Sequence, residues 1–140
     1  MATITLTAAN VRVGTSGTSS VGVAGETITS GDFLYLKAAD GKYWKAVNTS
    51  EAEASIVGVA LTNAVLDGNL AYLNIVDKVT YLDHSSAIWV QGDTYVIGDT
   101  AGTCMDAADI GASDYVTVAG VAASTTSLLL FKGTTGGISG

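Results

Sequence analysis

A chain of 140 residues, 48% of them apolar, is long enough to bury one sizeable core and is expected to form a single domain. Its formal net charge of −7, with six basic residues scattered from Arg12 to Lys132, excludes a basic patch of the kind that tracks phosphates, so no nucleic-acid partner is expected. Charged residues make up only 14%, against about 25% in typical domains, so Thr, Ser, Gly and Ala must form much of the surface. A subunit largely covered by neighbours fits that composition better than a free-standing enzyme.

Taken in order, residues 2–7 alternate polar and apolar, the period of a strand with one buried face. Residues 8–10 turn the chain, and Val11-Arg12-Val13 alternates again. Residues 14–20 read as a flexible polar loop, without the Gly-Lys-Ser/Thr ending of a phosphate loop. Residues 21–24 and 26–29 lead into a stretch, 31–60, that occurs twice. Between the copies lie an Asp67-Gly68 turn and predicted strands over 70–76, 78–82 and 87–90. After the second copy, 128–131 closes the core, and the Gly-rich tail 132–140 is expected to be disordered in isolation. No apolar run reaches the length of a membrane span, and the first 14 residues lack the basic and apolar regions of a secretory signal, so no membrane partner is expected.

The repeat organises the chain. Gly31-Asp32 aligns with Gly92-Asp93 and Gly41 with Gly102, an offset of 61 residues (92 − 31 and 102 − 41). One more residue then enters, and Gly58-Val59-Ala60 meets Gly120-Val121-Ala122. Each copy predicts a hairpin: 33–36 turning at Asp40-Gly41 into 43–47, and 94–97 turning at Gly102 into 103–105. Closing strands are predicted over 55–61 and 115–122. Ser50-x-x-Glu53 carries a capping signature, but the segment allows about one helical turn. The expected fold is therefore all-β. It is a compact β-barrel or sandwich-like domain of two hairpin-containing pseudo-repeats (about 21–76 and 77–131), with an N-terminal arm (1–20) and at most one-turn helices. What the repeat keeps is turn residues and apolar positions, whereas an active site would keep reactive groups.

The reactive groups are few. His84, the single histidine, lies in Asp83-His84-Ser85-Ser86, and adjacent residues on an extended chain point in alternating directions, so no triad is expected and His84 reads as a solvent-exposed turn residue. One histidine and one cysteine make no transition-metal site. Cys104, at the repeat position of Tyr43, reads as a buried apolar residue. Asp93, Asp99, Asp106, Asp109 and Asp114 lack calcium-loop spacing and read as solvated turn carboxylates. Glu51 and Glu53 diverge on a helical turn, against a glycosidase pair. Tyr35, Tyr43, Trp44 and Trp89 could stack on a sugar if exposed, but their predicted strand positions favour packing. Asn48-Thr49-Ser50 matches a glycosylation acceptor and reads here as a loop and cap. No catalytic residue, cofactor or metal ligand is assigned.

The combination of Gly25-Glu26-Thr27-Ile28-Thr29-Ser30-Gly31-Asp32, Asp40-Gly41-Lys42, Ile56-Val57-Gly58-Val59-Ala60-Leu61 and Gly92-Asp93-Thr94-Tyr95-Val96-Ile97…Ala101-Gly102 resembles the capsid decoration, or cement, proteins of tailed bacteriophages, over about residues 20–131. The resemblance implies a non-enzymatic virion protein, made in the host cytoplasm. Such a protein binds the outer face of the major capsid protein's lattice as a small homo-oligomer, a dimer or trimer. A tail, neck or baseplate accessory and a carbohydrate-binding module are the alternatives. Ile4, Leu6, Val11, Val13 and, in the tail, Ile138 are the candidate capsid or oligomer contacts, on the expectation that both termini act as arms.

Overall fold

The computed structural model describes residues 3–14, 18–76, 80–111 and 114–130. Those residues form an all-β fold with one four-residue helix, α1 (Glu51–Ala54), and 3-10 turns at Ala8–Asn10 and Ala107–Asp109. The strands are β1 (Thr3–Ile4), β2 (Val11–Val13), β3 (Ser19–Val23), β4 (Phe33–Lys37), β5 (Lys42–Lys45), β6 (Ile56–Ala60), β7 (Asn69–Asn74), β8 (Thr80–His84), β9 (Thr94–Ile97), β10 (Cys104–Asp106), β11 (Val118–Ala122) and β12 (Ser127–Leu130). They make two antiparallel sheets. The smaller runs β3-β7-β6-β4-β5, and the larger runs β1-β10-β9-β11-β12-β8-β2.

The repeat is carried down to single backbone bonds. Leu36 faces Tyr43 in the first hairpin and Ile97 faces Cys104 in the second, each 61 residues on. Each copy has a bulge at one place: between Leu34 and Tyr35 against β6, and between Val118 and Gly120 against β9. Gly31 and Gly92 both take left-handed φ, 98° and 88°, and their N–H groups donate 2.8 Å bonds to Ala60 O and Ala122 O. Five strands of the larger sheet, β8-β12-β11-β9-β10, thus repeat the whole order of the smaller one. β1 and β2 are additions at its two edges.

The two sheets do not meet as mirror images. The main core joins Phe33, Tyr35, Val59 and Leu73 of the smaller sheet to Tyr95, Ile97, Ala122, Leu128 and Leu130 of the larger. By the repeat, Tyr95 and Ala122 correspond to Leu34 and Ala60, which lie on the opposite face of the smaller sheet, in a second cluster with Ala24, Ile28, Ala64, Leu70 and Tyr72. The copies are stacked, each offering a different face to the shared core. Loops 24–31 and 61–68, joined by the Ile28–Ala64 bridge, cover the face left over. The second hairpin turn is tucked into the first repeat: Gly102 N–H donates to Ala46 O (2.7 Å) and Gly102 O accepts from Phe33 N–H (3.0 Å). Gly41, its counterpart, projects into open space.

Several expectations are corrected. Residues 3–14 are not an arm: β1 pairs with β10 and β2 with β8, so the segment borders both edges of the larger sheet. Residues 87–90 form no strand, because the Ile88 and Trp89 N–H groups both turn to Thr125 O and Val90 N–H to the Tyr95 hydroxyl. The expected Asp67-Gly68 turn is present, with Asp67 at a positive φ of 66°. α1 is the expected single turn, with Ser50 Oγ accepting from Glu53 N–H (3.2 Å). The Glu53 carboxylate returns to the Ser50 and Thr49 hydroxyls.

Candidate interaction surfaces

The five candidate contact residues fall in different places. Leu6 and Val11 are buried in the main core, so their side chains face their own protein and present nothing to a partner. Ile4 is half-buried against the same core, and Val13 is 44% exposed at the β2 edge. Ile138 lies outside the described residues.

His84 is the largest departure from the sequence reading. It is buried, 1% exposed, on β8. Its Nε2 accepts the Thr7 N–H at 3.1 Å and its Nδ1 donates to Ser86 O at 2.8 Å, an arrangement that requires the neutral Nδ1–H tautomer. Ser86 Oγ also accepts from Asn10 Nδ2 (3.2 Å), and Asn10 O from Ser85 N–H (2.9 Å). The histidine is a clasp holding residues 7–10 onto 84–86. Asp83 points the other way and accepts from Ser127 Oγ (2.9 Å), beside a shallow groove of roughly 450 Å³ between Arg12, Tyr81 and Thr126.

The carboxylates are divided among separate tasks. Asp106 caps the 3-10 turn through Ala108 N–H (2.9 Å). Asp93, hydrogen-bonded to Asp106, has its pKa raised by that neighbour, while the same contact lowers that of Asp106. Asp32, the repeat partner of Asp93, is raised for another reason, burial, against a hydrogen bond from Thr29 N–H and the nearby Lys45. Because folding raises its pKa, Asp32 favours the folded state at acid pH, and that contribution is lost as pH rises through the raised value. Asp32→Asn stays neutral and can still accept from Thr29. Its melting temperature is expected to exceed that of the wild type at neutral pH, the gap narrowing below the ordinary carboxylate range. A gap independent of pH would count against burial as the cause. Among the described residues no three His, Cys, Asp or Glu side chains converge as metal ligands.

The aromatics divide as well. Trp89 and Tyr35 are buried. Tyr43 stacks on Tyr72 at 4.6 Å between ring centres, with their hydroxyls 2.8 Å apart. Trp44 donates from Nε1 to Asp40 (3.1 Å) and carries Lys37 Nζ 4.3 Å above its ring. Cys104 is fully buried, and burial pushes its thiol up to about 12, with the Trp89 indole N–H beside it opposing the shift. The native protein is expected to resist iodoacetamide at neutral pH and to react once denatured, as mass spectrometry would show. Native alkylation in stoichiometric yield would place the thiol elsewhere.

What the sequence reading missed is the outer side of β3. Val21 is 77% exposed and Val23 borders it, while Val65 (69%) and Leu66 (58%) stand in the turn whose Asp67 N–H bonds Ala24 O. The signal was Ser20 and Gly22 alternating with the valines: Tyr43 lies over Gly22, where a Cβ would sit 2.3 Å from its ring, so the small residues face in and the valines out. Compared with known proteins, the chain matches no protein-family model and no curated protein sequence.

Proposed function

We propose that this chain is a non-enzymatic virion structural protein, a decoration protein that binds the outer face of a major-capsid lattice and stabilises the head. The observation that carries the reading is the surface. Eight large apolar side chains stand exposed among the described residues of a chain with only 14% charged residues, in a fold whose repeat keeps turns and packing positions. Such a surface suits a protein covered by neighbours, with many modest contacts multiplied by symmetry. The sequence resemblance to tailed-phage decoration proteins points the same way. The test is co-sedimentation of the purified protein with shells assembled from the capsid protein of the same virus. Saturable binding at a fixed ratio per capsomer is expected. Absence of binding to mature, expanded shells would overturn the proposal and favour a tail, neck or baseplate location.

A further inference from the structure

His84 is a titratable side chain sealed inside the fold, and both of its ring nitrogens are committed. Ser86 O is a carbonyl and can only accept, so Nδ1 must carry a proton. The Thr7 amide can only donate, so Nε2 must not. A single protonation state satisfies both bonds. A proton added at Nε2 would meet the Thr7 N–H donor against donor, and the surroundings offer the resulting charge no partner. From β2 comes Arg12, itself cationic, with Nη1 held by Ala9 O (2.8 Å) and Val11 O (2.9 Å). On β8, Tyr81 and Asp83 alternate away from the ring, and Asp83 is bound to Ser127. Residues 7–10, 85–92 and 123–130 contain no acidic or basic side chain.

The segment that the ring holds has few other ties. Thr3 and Ile4 make a two-residue ladder against Met105 and Cys104, and Leu6 is buried in the main core. Asn10 bonds Ser85 and Ser86, but it adjoins β2, which keeps its own pairing with β8. The Thr7–His84 bond is the hydrogen bond between those two anchorages, midway from β1 to β2.

We propose that His84 is an acid-sensitive latch: a proton taken up at Nε2 expels the Thr7 amide and frees residues 3–9 from the larger sheet, while β2 stays in place. Proton uptake and opening go together, because the closed latch has no room for a second ring proton. The closed form therefore prevails at neutral pH and is lost as pH falls through the range in which histidines ionise. Opening turns the first segment into an arm that exposes Leu6, and it leaves the outer side of β10 with unpaired backbone groups. The latch is independent of the function proposed above.

Nuclear magnetic resonance of the full chain follows both halves of the event. Imidazole nitrogen shifts are expected to report the neutral Nδ1–H ring at about pH 7.5 and the doubly protonated ring at about pH 5. Over the same range the protection of the Thr7 amide against hydrogen exchange should fall about tenfold or more, with the same midpoint. The Leu61 and Ile97 amides, bonded to Ala71 O and Thr117 O, should stay protected. In His84→Gln the side-chain carbonyl still accepts from Thr7 but takes up no proton, so Thr7 protection should be equal at both pH values. Three results overturn the proposal: Thr7 protection that survives ionisation of the ring, a ring still neutral at about pH 5, or a His84→Gln protein that loses Thr7 protection in acid as the wild type does. If His84→Gln fails to fold or to hold Thr7, the two wild-type midpoints decide, and their separation overturns the latch.

Discussion

Gly120→Ala and Gly58→Ala are each expected to destabilise the protein by about 3 kcal/mol or more, the range of severe backbone clashes in a packed core. A Cβ on Gly120 would stand 2.1 Å from Leu129 O, and one on Gly58 2.3 Å from Leu73 O. Both contacts are to main-chain oxygens of the neighbouring strand, so no rotamer change relieves them. Either the ladder between β11 and β12, or β6 and β7, opens, or the bulge beside the glycine is lost. That bulge lets one strand bend around the core while staying paired on both sides. Gly41→Ala is the control: it sits at φ 67° with nothing within 4 Å, so it bears only the left-handed penalty of about 1 kcal/mol. Equilibrium urea unfolding of the three variants decides the matter. A Gly120→Ala no worse than Gly41→Ala would mean that the bulge relaxes freely, and the repeat's Gly-Val-Ala would then need another explanation.

This reason was not visible in the sequence, although the glycines were. Spacing alone gave both hairpins, their turns, the closing strands and the one-turn helix, because each rests on local chemistry: a turn residue, an alternation, a cap. The stacking of the two copies rests on which face each sheet turns inward. Both faces of the smaller sheet are apolar, Phe33, Tyr35 and Val59 on one and Leu34 and Ala60 on the other, so the pattern of alternation could not choose between them. The exposed valines of β3 were hidden for a related reason. Val-Gly-Val reads as valine inward until the Tyr43 ring, 21 residues on from Gly22 (43 − 22), is seen to occupy the inner side.

The N-terminal segment shows the same limit at long range. Residues 2–7 were legible as apolar alternation, but a two-residue strand and a turn can be placed only by what they meet, and here those partners are β10 and the 84–86 segment. Leu6 and Val11 are apolar residues in the first segment, a property that suits a core as well as a contact surface. The polar neighbours of His84 predict a surface turn. Its burial depends on the Thr7 amide, 77 positions earlier, which no local pattern announces.

That clasp carries the second large prediction. His84→Ala removes a buried ring, leaves Thr7 N–H and Ser86 O without their side-chain partner, and takes away the edge contact with Trp89, whose ring centre lies 6.0 Å off. Cavity and unmet hydrogen bonds together are expected to cost about 3 kcal/mol. His84→Phe refills most of the space but restores neither bond, so about half of that loss should remain. The two variants therefore separate packing from hydrogen bonding, with urea unfolding as the readout. Hydrogen exchange supplies the local view: the Thr7 amide should exchange faster in both variants, whereas Ser85 N–H, bound to Asn10 O, should follow the global stability. A His84→Phe protein as stable as the wild type, with Thr7 still protected, would reduce the histidine to a space-filling residue. An Ala variant with unchanged stability would remove residues 7–10 from the folded core altogether.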